Sequence, residues 1–259
     1  MVTSGSDGDR RGDPPIAGSI DRVTHVHPAG PAVLRLAQEL APSDRVIVDE
    51  LVAWLAAGPR FRAFAEDNRD KIRKKLRGAS DAEARRDVRV ELDVIRLLLT
   101  DRKVSVAFEP YGSGHVGPDL AVTLGGGSAN LEITRRRGAP PDPTTLAQLI
   151  LAKLRQLPPS VPNALLVASD GASAADLDVS AAIRLLRGRA DAKDESFFEG
   201  RGFPTSRAFY DRFLRLGGVI AWSERASALP RAVLWTNASA RIALPPKLAR
   251  AMVGALTGH

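Results

Sequence analysis

The sequence predicts an α/β domain with a mixed central sheet, helices on both faces and a helical N-terminal extension. Three observations carry this reading. Apolar residues recur at helical spacing before residue 100, three strand-like segments then follow in a row, and helices alternate with short apolar strands from residue 144 onward. A chain of 259 residues that is 44% hydrophobic and 26% charged has the composition of a globular protein with a proper core.

Residues 1–31 mix Gly, Ser, Asp and Pro without periodicity and predict a disordered tail. His25 and His27 form a His-x-His pair there, with no third ligand nearby. Residues 32–79 form the helical extension. In it Val46, Val48, Leu51, Val52 and Leu55 recur at helix-like spacing, and Gly58-Pro59 ends the segment. A second helix is expected from Pro59 to Leu76, with Phe61, Phe64, Ile72 and Leu76 as its apolar side. Residues 60–77 hold eight basic residues against three acidic ones, a net +5 within a chain whose total is +7. The segment reads equally as a solvated face with i,i+4 ion pairs or as a helix that contacts phosphates, chiefly through Lys71, Lys74 and Lys75.

The α/β domain proper spans residues 80–259. Ser80 and Glu83 have capping-box spacing, and Val88, Leu92, Ile95 and Leu99 form one apolar stripe behind them. Glu91 lies on or beside that stripe, an expensive place for a carboxylate without a partner. Residues 103–109 alternate as a half-buried strand does, and residues 120–124 and 130–134 form two more strands around the turn Gly125-Gly126-Gly127-Ser128. Arg135, Arg136 and Arg137 close the third strand. A helix over 144–157, a buried strand over 163–169, a helix over 174–187, a loop over 188–204 and a helix over 205–216 come next. Strands at 219–222 and 232–236 and a helix over 246–256 complete the order.

The acids fall at particular points of this order. Asp119, directly after Pro118, opens the second strand, and Glu132 lies thirteen residues later in the third. A hairpin can bring the two to one end of the sheet, with Glu91 on the helix behind. Carboxylates converging in this way make a hard-cation site of the kind Mg²⁺ or Mn²⁺ occupies. Lys153 and Gln156 share a face of the helix that follows.

The residues Glu91, Pro118-Asp119 and Glu132-Ile133-Thr134, with Lys153 and Gln156, resemble the PD-(D/E)xK nuclease-like superfamily over residues 80–170. The resemblance implies an αβββαβ restriction-endonuclease-like core and a metal-dependent nuclease that hydrolyses phosphodiester bonds in DNA. It implies that Asp119 and Glu132 are metal ligands, that Ile133 offers its carbonyl and that Glu91 is an auxiliary acid. The chain departs from the superfamily where the motif Lys is replaced by Thr134, whose hydroxyl supplies no positive charge. Arg135 points to the opposite face of a strand and stays protonated. Superfamily members move the Lys to the helix after the third strand, which makes Lys153 the stand-in, with Gln156 orienting substrate or water. On this reading Arg135 and Arg136 join the basic helix in contacting the nucleic-acid backbone. The alternative is a catalytically inactive member acting as a nucleic-acid-binding or protein-interaction module.

Other function classes are excluded or weaker. With no Cys there is no disulfide, cysteine zinc site or thiol catalysis, which fits a reducing cytoplasm. No apolar run approaches the roughly 18 residues of a membrane span, and residues 1–31 lack a secretory pattern. The Gly125–Ser128 turn lacks the ending of a phosphate-binding loop, and Ser169-Asp170 lacks a nucleophile-elbow context. His115 reads as a solvated loop residue, and Trp54, Trp222 and Trp235 as core. Tyr111, Phe197 and Phe198 are candidates for base stacking or for anchoring loops. The oligomeric state is not fixed by the sequence, and a dimer is compatible with it.

Overall fold

The computed structural model describes residues 30–42, 44–112, 117–137, 142–170, 173–224 and 231–258. Most of the expected tail, both of its histidines and His115 lie outside them. The described chain is an α/β fold around a six-stranded mixed sheet whose strands lie in chain order. They are β1 (Val104–Phe108), β2 (Leu120–Leu124), β3 (Gly127–Arg136), β4 (Asn163–Ser169), β5 (Leu216–Ser223) and β6 (Ala232–Thr236). β1, β2 and β3 are antiparallel neighbours, β3–β4 and β4–β5 are parallel, and β6 returns antiparallel to β5.

Short-range chemistry accounts for the hairpin. Leu124 pairs with Gly127, so Gly125 and Gly126 form a two-residue loop, and Gly125 takes a φ of +58° that a side chain would resist. The parallel crossovers are helical. α6 (Pro143–Leu154) joins β3 to β4, and α7 (Val179–Asp191), α8 (Glu195–Glu199) and α9 (Ser206–Phe213) join β4 to β5. Each starts on a residue whose side chain accepts from the backbone of the first turn: Asp142, Asp178, Asp194 and Thr205. α8 and the end of α7 replace the loop expected over 188–204. The rings of that region form a cluster in which Phe198 is fully buried and stacks on Phe209 at 4.9 Å, so Phe198 anchors the crossover and has no face to offer a base.

The other face of the sheet is covered by α5 (Ala82–Leu98), α10 (Pro246–Thr257) and the N-terminal helices α1 (Pro31–Leu40), α2 (Arg45–Ala57), α3 (Pro59–Asp67) and α4 (Arg69–Gly78). α5 is capped by Asp81, whose carboxylate accepts from Ala84 N at 2.7 Å. The cap therefore sits one residue after the expected Ser80, and Glu83 is left for another partner. The single helix expected over 59–76 is broken at Asn68, whose amide donates to Phe64 O at 2.9 Å and competes with the helical ladder. The extension shares one apolar core with the sheet. Phe64 meets Phe108 edge-on at 6.1 Å, and Arg60 donates to the carbonyls of Leu99, Asp101 and Val104.

Packing is tight where β5 passes under the segment before α10. A methyl group on Gly218 would lie 2.8 Å from Trp235 O and 2.9 Å from Leu244 Cδ1. Gly218→Ala is expected to cost about 1–3 kcal/mol. Gly126→Ala, where a methyl group meets nothing within 4 Å, should stay within about 0.5 kcal/mol of the parent. Urea denaturation of both variants checks this, and equal midpoints would contradict it.

Candidate functional site

The hairpin register places Phe108 opposite Leu120 and Leu120 opposite Leu131. The next residues outward, Glu109, Asp119 and Glu132, therefore meet at one end of the three antiparallel strands. Glu109 N donates to Asp119 O at 2.8 Å, and Glu109 takes a left-handed φ of 45°, uncommon for a residue with a side chain. Asp119 is held by the backbone of β3, because Ile133 N donates to its Oδ2 at 2.8 Å. In a strand the carbonyl leaves on the same side as the N–H, so Ile133 O faces the same gap beyond the start of β2.

Glu132 points to the α6 face. Lys153 Nζ donates to its Oε1 at 2.7 Å, and the Gln156 amide, oriented with its NH₂ toward the carboxylate, donates to Oε2 at 3.1 Å. Glu91 comes from α5 on the other face and is buried, as its place in the apolar stripe predicts. Its partner is Lys75 of α4, whose Nζ donates to Glu91 Oε2, to Asp119 Oδ1 at 3.2 Å, and lies 3.9 Å from Glu109 Oε1. A cavity of about 130 Å³, lined by Lys75, Glu109, Tyr111, Gly117 and Asp119 among others, opens onto this group. Tyr111 is tied by its hydroxyl to Asn130, and its ring lies against Gly117.

Glu91, Glu109 and Asp119 thus surround the ammonium of Lys75, while Glu132, one strand over, is paired with Lys153 on the α6 face. Burial, with repulsion from Asp119, pushes Glu91 up to about 8 despite its contact with Lys75. Burial and Asp119 likewise push Glu132 up to about 7, against the pull of Lys153. Burial alone would lower Lys75, but Glu91 and Asp119 outweigh it and hold the ammonium charged. The group is rich in negative charge that its cations do not fully offset. Even so, among the described residues no three acidic or imidazole side chains stand together as a ready-made metal cage.

Every catalytic and metal candidate named from the sequence is therefore in or beside one site. The nucleic-acid candidates divide. Lys74 is exposed on α4, and so are Arg62 on α3 and Arg77 at the end of α4. Lys71 instead donates to Phe108 O at 2.7 Å, and Lys75 lies inside the acidic group, so neither belongs to a solvated basic face. Arg135 is a clear correction. Its side chain is 1% exposed and its three nitrogens donate to Glu83, Asp87 and Asp170, so it has no exposed face to offer a phosphate. Arg136 is buried as well, because β3 continues through both residues and Arg136 pairs with Ser169 of β4 inside the sheet. Sequence reasoning missed Glu109, although counting the β1–β2 pairing one step outward from Phe108 would have placed it opposite Asp119. It read Lys75 as a phosphate contact and not as a partner of the acids, since only tertiary packing of α4 brings it there. No family model, curated protein or solved structure matches the chain.

Proposed function

We propose that the chain is a metal-dependent phosphodiester hydrolase acting on DNA, of the PD-(D/E)xK kind, with Lys153 in place of the strand lysine. The observation that carries this reading is the Lys153–Glu132 contact at 2.7 Å. It puts a positive charge against the third-strand acid, as a lysine at position 134 would have done. The order α5-β1-β2-β3-α6-β4, with the first three strands antiparallel and the fourth parallel, is the order that such a core has.

The donor set suits a hard cation, since Asp119, Glu132 and the Ile133 carbonyl are all oxygen ligands in a region of excess negative charge. Bound there, a divalent ion would supply Lewis acidity and charge neutralisation at a phosphate. The chain's own residues do the rest. Ile133 N fixes the rotamer of Asp119, Gln156 and Lys153 fix Glu132, and the Lys153 ammonium offsets charge that builds on a phosphoryl oxygen. Exposed Arg62, Lys74 and Arg77 provide sequence-independent attraction for the backbone of the nucleic acid. Among the described residues no helix is long and apolar enough to cross a membrane.

The test is nicking of supercoiled plasmid in Mg²⁺ or Mn²⁺. Asp119→Ala and Glu132→Ala should each lose about 10²–10³-fold or more of the rate, and Lys153→Ala less. A second reading, a non-catalytic DNA-binding module, is favoured by one contact: Lys75 already offsets Glu91 and Asp119 without a metal. Salt-sensitive DNA binding with no cleavage, unaffected by both acid substitutions, would support that module. Absence of both cleavage and binding would eliminate both readings.

A further inference from the structure

We infer that Lys75 is a tethered cation that holds Asp119 Oδ1, a carboxylate oxygen the metal would need, together with the auxiliary acid Glu91, and that a divalent ion enters only by displacing it. The inference rests on the metal reading above. Lys75 comes from α4, outside the α5–β4 core, yet its side chain crosses to the carboxylates and is 23% exposed. Its ammonium touches two acids on different elements, Glu91 on α5 and Asp119 at the start of β2, and so bridges them as a shared ion would.

The geometry also provides a route out. Glu109 Oε1, at 3.9 Å, is the next acceptor along the cavity that opens onto Lys75 and Asp119. A swing of the flexible lysine stem toward Glu109 frees Glu91 and the Oδ1 of Asp119, while Oδ2 stays fixed by Ile133 N. Without a bound ion, Lys75 offsets part of the charge of Glu91 and Asp119. Affinity for the metal is reduced by the cost of breaking the two Lys75 contacts.

The experiment is Mn²⁺ binding to the full chain, followed by the loss of the free-ion electron paramagnetic resonance signal. Folding of each variant is checked by circular dichroism. Lys75→Met is expected to bind Mn²⁺ about tenfold or more tightly than the parent. Lys75→Arg, which keeps the charge and the fold, is expected to bind no tighter. Equal or weaker binding by Lys75→Met, or tighter binding by Lys75→Arg, would overturn the role of Lys75 while leaving the metal reading intact. If neither the parent nor any variant binds Mn²⁺, the metal reading and this inference fall together.

Discussion

Arg135→Met is expected to lower the stability of the protein by about 1.5–3 kcal/mol, because it removes charge-assisted hydrogen bonds to three acids that are themselves about a third or more exposed. For a chain of this size that is roughly 5–10 °C in melting temperature. The guanidinium holds Glu83 and Asp87, one turn apart on α5, and Asp170 after β4, at Nη1–Oδ2 2.6 Å for the last. Without it these acids keep only Arg86 and Arg137, both more exposed. Arg137→Met, by contrast, removes a half-exposed partner and should cost less than about 1 kcal/mol. Differential scanning calorimetry of the two variants decides the matter. A loss of DNA binding by Arg135→Met with an unchanged melting temperature would restore the arginine to a surface role.

In metal-free buffer the protein should lose stability as the pH rises from about 5 to about 9. Glu91 and Glu132 sit at about 8 and about 7 in the folded chain, against an ordinary 4.5. Between these values the folded state binds more protons than the unfolded state, so stability falls with pH. The contribution of the two groups is fully present below about 4.5 and is lost as the pH passes 7 and then 8. The total is on the order of a few kcal/mol. Urea midpoints measured across this range in the presence of a chelator should show the decline, and Glu91→Gln with Glu132→Gln should flatten it. A midpoint that rises with pH between 6 and 9 would contradict the environment assigned to both acids. Carboxylates held low, such as the helix cap Asp81 and the Arg135 partner Glu83, act in the opposite sense, but at more acidic pH.

Much of this site was legible because its geometry is local. Asp119 and Glu132 flank a hairpin whose three glycines set the register, and that register alone puts the acids on one end of the sheet. Lys153 and Gln156 follow from helical spacing, and the burial of Glu91 follows from its place beside the apolar stripe. What was not legible depends on how elements dock. Nothing near Lys75 in the sequence distinguishes it from exposed Lys74. Only the bend at Asn68 and the seat of α4 against β1 turn one of them inward. Arg135 looked like part of a basic patch because three arginines adjoin in the chain. Its acidic partners lie about 35 to 50 residues away, on α5 and after β4. Charge read along a sequence gives composition, whereas charge available to a ligand is what remains after tertiary pairing.

The chain-ordered sheet also has a consequence for synthesis on the ribosome. Each strand, once made, can add to an edge formed by its predecessor, and none has to be threaded between finished neighbours. The lid on one face comes late, however. α10 packs on α5, β2 and β3 and accepts from Trp222 Nε1 through Leu256 O, although those strands are made more than a hundred residues earlier. Until α10 has been translated, the part of that face beside α5 that α10 covers stays open. Apolar surface exposed in that interval is where misassembly would begin, and slow translation between β3 and α10 would prolong it.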